Sequence, residues 1–513
     1  MRHTLPLLLT LALAACSTTV SGLPAAPDAD AGVDGSDGHP DADDAADVAQ
    51  PDALSDADAV PPDVDTPDAE PLDVSPDADA TDLPDADADA DLPDTPDTDL
   101  PDVWDGITRY PPDRVSSPVS SSVVARMSAI RDANPGADDL VFMKVGASGT
   151  VSTNLLYCFA GDPYTVDLDG RDALQDTIDW FLMGDAAGDS PFDRDTLAAV
   201  SGRTARWAIT GSPSPVEAEI DAIHPRFAVV NYGTNDMNQG TTFSSALPGF
   251  YDSMSTLLDL LEGQGIIPVV TGLNPRSDSA SAALWVPTYD AVTRGLAEAR
   301  QLPYLDLYLA ARDLPAMGLL SDGLHGNVYR TGGRAEPCIF TDEALQSNYN
   351  VRNLLTLGAF DAARRTVIEG AAAPDRAVGP LEGDGSAEHP FIIDHLPFTH
   401  AADTRRSTAR NLDGYPACDR GQNESGPELL YRLTLDAPTP VRLLVLDLGG
   451  VDIDLHLLSG DTCVARHDRI IEATLEAGVW TIALDTFVSG SGEQAGEFLF
   501  VAVQCEPGDP DCQ

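Results

Sequence analysis

An acidic, proline-rich tract near the amino terminus sets the firmest limit on how this chain folds. Residues 27–101 consist of short Pro-Asp and Asp-Ala units, with no aromatic residue and almost no large aliphatic one. Such a composition cannot bury enough apolar surface to offset the lost chain entropy, so the tract is predicted to be disordered. Like charges and proline favour extension, so we interpret it as a stalk that reaches between roughly 50 and roughly 230 Å. Low-complexity drift without a role is the alternative.

The same tract contributes much of the protein's charge. Over 513 residues, 29 Lys and Arg are opposed by 84 Asp and Glu, which gives a formal net charge of −55. Between Asp28 and Asp102 there are 26 Asp, one Glu and no Lys or Arg, so 57 acids and 29 bases remain elsewhere. A nucleic-acid partner needs a basic surface that releases counterions from phosphate. The sequence therefore excludes nucleic acid as a partner, and it also predicts no electrostatic docking on an anionic membrane.

The first residues have the pattern of an export signal. A basic start leads into an apolar run of about ten residues that ends at Cys16 and is too short to span a bilayer. Leu-Ala-Ala-Cys at 13–16 resembles the lipobox of bacterial lipoproteins, where cleavage leaves the cysteine as the lipidated first residue. An ordinary signal peptide with a chance cysteine is the alternative. We predict a signal and lipidation site at 1–16, a linker at 17–110, and an exported protein whose acyl chains, such as palmitate, anchor it to a bacterial outer membrane or cell surface.

Six further cysteines indicate disulfide bonds, because their number is even and the chain has an export signal. Cys158 and Cys338 fall in the first folded region and are predicted to pair. Four more fall in the second region, and all three of their possible pairings stay open: Cys418, Cys463, Cys505 and Cys512. No Cys/His spacing indicates zinc, and neither a metal nor an organic cofactor is expected.

Residues 111–372 alternate apolar runs with amphipathic helices. The runs at 140–146, 227–233 and 266–272 each end at a glycine, as buried parallel strands do, and a fourth follows at 303–309. Strands that alternate with helices predict a three-layer α/β domain with a parallel, flavodoxin-like sheet. In such sheets the functional residues gather at the carboxyl ends of the strands.

After a predicted linker at 373–400, residues 401–513 change to a period of two, with glycine-containing turns between short runs. This pattern predicts a small antiparallel β-sandwich. We interpret Asp452 and Asp454 as a solvated strand face rather than a metal site, and His456 as lying on the polar face of a strand. Three histidines of the linker are interpreted as solvated: His389, His395 and His400.

Polar side chains follow two of the predicted strands. Ser148 lies in the turn Gly-Ala-Ser-Gly-Thr at 146–150, and such a turn exposes a hydroxyl beside backbone N–H groups. Asn235 lies in Gly-Thr-Asn-Asp at 233–236, where its amide can donate to an oxyanion. Each feature has a structural alternative, since glycine turns after strands are common and asparagine favours caps and turns.

A third polar group lies beyond the last strand. Asp322 and His325 are three residues apart in a glycine-containing turn, a spacing that lets the carboxylate orient the imidazole. The other nitrogen of the ring is then free to face a serine.

Serine, asparagine, aspartate and histidine in this chain order, each at a strand end, resemble the SGNH hydrolase family of GDSL-type esterases and lipases over about residues 138–360. The resemblance implies Ser148 as nucleophile, His325 as general base and Asp322 as its orienting acid. It implies an oxyanion hole formed by the Ser148 N–H, the Asn235 amide and a glycine N–H.

For the glycine of the oxyanion hole we choose Gly211, after a short apolar run, over Gly202.

The sandwich at 401–513 resembles the prepeptidase C-terminal domains of secreted bacterial enzymes, which implies an accessory role.

The serine turn departs from the family pattern at two positions. Ala147 replaces the usual aspartate and Gly149 the usual apolar residue, so we expect a less firmly held serine. We predict a monomeric, surface-anchored serine esterase that acts on acetyl or short acyl esters of carbohydrate or lipid. The alternative is a degenerate module that binds glycan or lipid without hydrolysis.

Overall fold

The computed structural model describes residues 108–161, 165–412, 414–415, 417–418 and 421–513. The predicted signal, Cys16 and nearly all of the acidic linker lie outside the described residues. All described residues belong to one compact unit. No helix in the described ranges is long and apolar enough to cross a membrane.

A parallel sheet organises the first folded region. Its strands, in spatial order, are β1 (Asp138–Gly146), β2 (Pro225–Asn231), β3 (Ile267–Thr271) and β4 (Tyr304–Leu305). A two-stranded ribbon, β5 (Arg330–Thr331) and β6 (Arg334–Ala335), lies apart from it. The helices are α1 (Ser121–Ala133), α2 (Ser148–Val151), α3 (Gln175–Leu182), α4 (Ala205–Ala208), α5 (Pro215–Ile223), α6 (Phe243–Gly263), α7 (Ala280–Ala299), α8 (Leu307–Ala311) and α9 (Asn348–Ala363). The predicted α/β fold is confirmed.

The local sequence explains where these elements begin and end. The Thr242 side chain caps α6 by accepting the Ser245 N–H, and the buried face of α6 carries Phe250, Met254 and Leu261. The predicted fourth strand is wrong in its second half. There the Asp306 carboxylate accepts the Leu309 N–H, 2.7 Å away, and starts α8.

Two sheets form the predicted β-sandwich. One has the order β13-β10-β17-β8 and the other β12-β11-β14-β9-β7. Their strands are β7 (Phe391–Ile393), β8 (Phe398–Asp403), β9 (Glu428–Leu435), β10 (Thr439–Asp447), β11 (Ile453–Ser459), β12 (Thr462–His467), β13 (Ile470–Leu475), β14 (Gly478–Thr486) and β17 (Glu497–Gln504), with the short pair β15 (Val488–Ser489) and β16 (Gly492–Glu493) between the last two. The expected linker at 373–400 thus contains β7 and the start of β8. His400 is half-buried rather than solvated, with Nδ1 2.8 Å from the Tyr431 hydroxyl.

The sandwich packs directly on α7 of the α/β region. The Arg442 guanidinium, fully buried on β10, lies 3.6 Å from the centre of the Trp285 ring and donates to the Thr288 hydroxyl at 2.9 Å. Asp509 balances its charge at 2.8 Å. One continuous apolar core includes Leu499 of β17 together with the α/β residues, so the two regions form one compact body.

The interpretation of Asp454 as a solvated side chain is wrong. Asp454 is only 1 % exposed, and its carboxylate pairs with the Arg466 guanidinium. A segment before β9 covers this outer face of the sheet and brings Tyr415 against the buried His456, with the two rings stacked 3.6 Å apart. The alternating pattern marks this face as polar but does not reveal that a loop covers it.

The disulfide bonds include the predicted pair and two pairs that the sequence left open. Cys158 pairs with Cys338, as predicted from their shared region. The three-way choice among the last four cysteines is resolved as Cys418–Cys463 and Cys505–Cys512.

Candidate active site

The turn after β1 brings a serine hydroxyl to the carboxyl edge of the sheet. A Cβ atom at position 146 would lie 2.2 Å from the Thr150 hydroxyl and 2.8 Å from the Asn231 carbonyl, so only glycine fits there. The chain then enters α2 at Ser148, whose helical turn closes by the Thr150 N–H donating to the Ala147 carbonyl at 2.8 Å. Ser148 thereby lies at the amino end of a short helix, half-buried.

Three side chains form a connected relay at this edge. His325 Nε2 lies 3.0 Å from Ser148 Oγ, and His325 Nδ1 lies 2.8 Å from Asp322 Oδ2. These distances fit a serine hydroxyl, a base that can take its proton and a carboxylate that fixes the tautomer of the base. The structure therefore brings together the three residues singled out in the sequence across 177 positions.

The Asp322 carboxylate builds the turn that holds His325. Its Oδ1 accepts the N–H groups of Leu324 and His325 at 2.9 and 3.0 Å, while its Oδ2 faces the imidazole. These backbone hydrogen bonds, helped by the His325 side chain, lower the pKa of Asp322 to about 2. Gly323 has φ +68°, and a Cβ there would lie 2.6 Å from the Ser277 hydroxyl. Because its pKa is about 2, Asp322 stays ionised across the physiological pH range.

Asn235 lines the same cavity as Ser148 and His325. Its amide nitrogen donates one hydrogen bond to the Arg203 carbonyl at 2.9 Å, and an NH₂ group carries a second N–H. This second N–H remains available to a ligand in the cavity.

The neighbouring Asp236 is buried and accepts the N–H groups of Gly233 and Ala205 at 3.0 and 2.9 Å. Burial raises the pKa of Asp236 to about 6. Asp236 joins the asparagine turn to α4, a role that its place in the motif could have suggested.

Neither Gly211 nor Gly202 is among the described residues that line the cavity. Gly211 lies beyond α4. The segment that approaches Ser148 from this side is 198–203. Ala199 pairs with Gly146 in parallel register, and the Arg203 carbonyl accepts from Asn235. Gly202 lies in this segment, directly before Arg203, and is therefore nearer to these contacts along the chain than Gly211.

The turn carries a support that the sequence analysis missed. The carbonyl of Gly149 accepts hydrogen bonds from the Tyr349 hydroxyl at 3.2 Å and from Arg352 Nη1 at 3.1 Å, both from α9. Our expectation of a loosely held serine took no account of these two donors. A tyrosine and an arginine on a partly apolar helix give no signal that they reach a turn 200 positions earlier.

The cavity at Ser148 is small, about 30 Å³. Its lining is contributed by three strand ends and the histidine turn: Ala147, Ser148, Gly149, Asn231, Tyr232, Gly233, Thr234, Asn235, Asn274, Leu324, His325 and Gly326. Larger cavities lie elsewhere, including one of about 470 Å³ bordered by Arg109 and Phe391. That cavity lacks the connected relay of hydroxyl, imidazole and carboxylate, so we place the chemistry at the small one.

A second polar cluster lies in the sandwich. Glu424, Asp454 and His456 are all buried, with one potential ligand atom of each within 4.8 Å of the others. The Arg466 guanidinium contacts Asp454 there. A neighbouring grouping of His456 with Cys418 and Cys463 offers no thiolate, because these two cysteines form a disulfide.

A family of known hydrolases matches part of the α/β region. Residues 160–328 match the model of the GDSL-like Lipase/Acylhydrolase family, a range that includes Asn235, Asp322 and His325 but begins after Ser148. A comparison with curated proteins finds no match.

Several solved structures are similar at low identity. A GDSL-like lipase from Bacteroides thetaiotaomicron is 14 % identical, with 44 % of this chain and 89 % of that chain covered and a TM-score of 0.28. An acetylxylan esterase from Geobacillus stearothermophilus is 11 % identical, with 44 % and 94 % covered and a TM-score of 0.28. A two-domain esterase active on acetylated mannans is 10 % identical, with 75 % and 96 % covered and a TM-score of 0.25.

The family match over residues 160–328 supports a GDSL-like acylhydrolase domain within the α/β region and, with it, the class of serine esterases.

Proposed function

We propose that the protein hydrolyses esters through an acyl-enzyme formed on Ser148. The observation that carries this proposal is the relay from Ser148 Oγ through the His325 ring to Asp322 at 3.0 and 2.8 Å. His325 Nε2 takes the hydroxyl proton as Oγ attacks the ester carbonyl, then gives that proton to the leaving alcohol. A water molecule, deprotonated by the same nitrogen, releases the acid and restores the serine.

The negative charge of the tetrahedral intermediate needs donors at the cavity. We assign this role to the Ser148 N–H and to the second N–H of the Asn235 amide, with the Gly202 N–H as third donor. Support comes from Asn235 lining the cavity and from the Arg203 carbonyl, which holds the amide in place at 2.9 Å.

The size of the cavity favours a small acyl group. A water molecule needs roughly 10–15 Å³ on the same measure, so about 30 Å³ holds two or three heavy atoms, as in an acetyl group. Pockets that enclose drug-sized ligands are about ten to thirty times larger. The alcohol part of the ester then lies outside the cavity, so the cavity does not limit its size, and a sugar is compatible with it. We therefore propose acetylated carbohydrate as the substrate class.

A chain-length series tests this proposal. We expect kcat/KM on p-nitrophenyl esters to fall steeply from acetate to butanoate to octanoate, and acetylated oligosaccharides to release acetate. Ser148→Ala should abolish turnover, whereas Ser152→Ala, a half-buried serine one turn further on, should leave it unchanged. A preference for octanoate would contradict the acetyl assignment. Turnover that survives Ser148→Ala would contradict the mechanism.

We also propose that the enzyme is a lipid-anchored, exported monomer. The lipobox-like residues 13–16 and the acidic tract after them support a surface tether. The anchor would hold the active site near an extracellular ester-bearing polymer, which is consistent with disulfide pairing of Cys158 with Cys338.

A further inference from the structure

A buried cation that has no carboxylate partner among the described residues contacts the turn that carries Ser148. Arg352, on α9, is 1 % exposed, and its Nη1 donates to the Gly149 carbonyl at 3.1 Å. Its Nε and Nη2 atoms are buried and donate no hydrogen bond within the described part of the chain. Burial lowers the pKa of Arg352.

Stability does not explain such a residue. An unpaired buried charge is costly, and replacing buried charges with apolar groups of similar size is often neutral or stabilising. The Gly149 carbonyl would also keep one donor without Arg352, because Tyr349 reaches it independently at 3.2 Å. A purely structural role would therefore be filled as well by an uncharged side chain.

The residue after Ser148 has no side chain at the point where the Arg352 guanidinium approaches. A Cβ atom at position 149 would lie 3.1 Å from Arg352 Nη1, closer than side-chain contacts normally allow. The glycine that follows Ser148 thus leaves room for the cation. Gly149, which replaces the usual apolar residue of the family, and the unpaired Arg352 therefore belong together, because the missing side chain makes room for the guanidinium.

We propose that Arg352 is a positioning residue for the ester hydrolysis described above, on which this inference rests. It fixes the Gly149 carbonyl, and with it the backbone of Ser148, against α9. It also places a fixed positive charge beside the turn where the tetrahedral intermediate becomes negative. Both effects act on the transition state more than on substrate binding.

The test compares catalysis with stability in three variants. Arg352→Met should lower kcat on p-nitrophenyl acetate about 10- to 100-fold, a loss typical of a displaced catalytic group, with KM within about twofold. Its melting temperature should equal or exceed that of the wild type. Arg352→Lys, which keeps the charge, should recover part of kcat, and Arg365→Met, an exposed arginine after α9, should change nothing.

Gly149→Ala tests the same role of Arg352 without replacing the arginine. Its Cβ should push the guanidinium back by a few tenths of an ångström, so kcat should fall in the same direction by a smaller factor, even if Arg352→Met does not fold. An active wild type whose kcat is unaffected by Arg352→Met, or by Gly149→Ala, overturns this inference alone. A parallel fall in melting temperature and kcat, without recovery by Arg352→Lys, also overturns it by showing a structural role. A wild type without esterase activity overturns the proposed function and this inference with it.

Discussion

Substituting Asp322 by asparagine should separate catalysis from folding at this site. Asparagine keeps an oxygen that can accept the Leu324 and His325 N–H groups, which lie 2.9 and 3.0 Å from Asp322 Oδ1. At the second position an NH₂ group replaces the oxygen that faces His325 Nδ1 at 2.8 Å. That NH₂ can only donate, so the ring must carry its proton on Nε2 instead of Nδ1.

The wrong tautomer cannot accept the proton of Ser148, because its Nε2 is already protonated. In a serine hydrolase relay this change costs roughly 10⁴ in kcat. The cost in stability should be small, because Asp322 is nearly half exposed and solvent screens its interactions.

The pH dependence of Asp322 follows from the direction of its pKa shift. The folded-state pKa, about 2, lies below the usual value of 3.8. The stability that Asp322 contributes is therefore present above about pH 4 and is lost only as the pH falls toward 2. Protonation of Asp322 should not limit the activity of the wild type at any pH above about 4.

The assay is steady-state hydrolysis of p-nitrophenyl acetate, with thermal unfolding of the same preparations. Asp322→Asn should lose about three to four orders of magnitude in kcat with a melting temperature within a few degrees of the wild type. Asp278→Asn, which removes an ion pair with Arg276 outside the relay, is the control. A loss below tenfold in Asp322→Asn would refute the tautomer argument.

Four other outcomes are expected. Asn235→Ala should lower kcat roughly 10²- to 10³-fold, as loss of one oxyanion donor does, and a change below threefold would reduce Asn235 to a turn residue. Cys158→Ser with Cys338→Ser should destabilise the fold by roughly 3–5 kcal/mol in urea titrations, because the disulfide closes a loop of 180 positions. Since burial raises the pKa of Asp236 to about 6, this residue contributes a fall in stability as pH rises from about 4 to 6, and Asp236→Asn should make the measured decline shallower; an unchanged slope would assign the decline to other buried carboxyls, such as Asp485, whose pKa burial raises to about 8. Cys16→Ser should move the protein out of the membrane fraction, and unchanged sedimentation with membranes would show that no lipid is attached there.

The strand ends were predictable because their signals are local. Each of the first three strands is a short apolar run that ends at or near glycine, and parallel strands bring such ends to one edge. The order of Ser148, Asn235, Asp322 and His325 along the chain then indicated the relay that the structure assembles.

The features of the site that sequence alone could not decide depend on packing between distant segments. Gly211 and Gly202 both follow short apolar runs, and only the pairing of Ala199 with Gly146 favours Gly202. Arg352 becomes meaningful only when α9 packs against α2, which no spacing in the sequence reveals.

The buried charges of the sandwich show the same limit. Asp454 alternates with apolar residues, as a solvated position would, and it is buried because a separate segment covers that face of the sheet. Period-two patterns identify the two faces of a strand but do not identify which of them water reaches.

The central claim is that Ser148 is an activated nucleophile, and its most direct test is covalent labelling. The purified protein is treated with a fluorophosphonate, and the modified peptide is identified by mass spectrometry. We predict one adduct, on Ser148, formed much more slowly in His325→Ala and absent in Ser148→Ala, with the disulfides intact in every sample. An adduct on another serine, or an unmodified Ser148 in a correctly folded protein, would contradict the account.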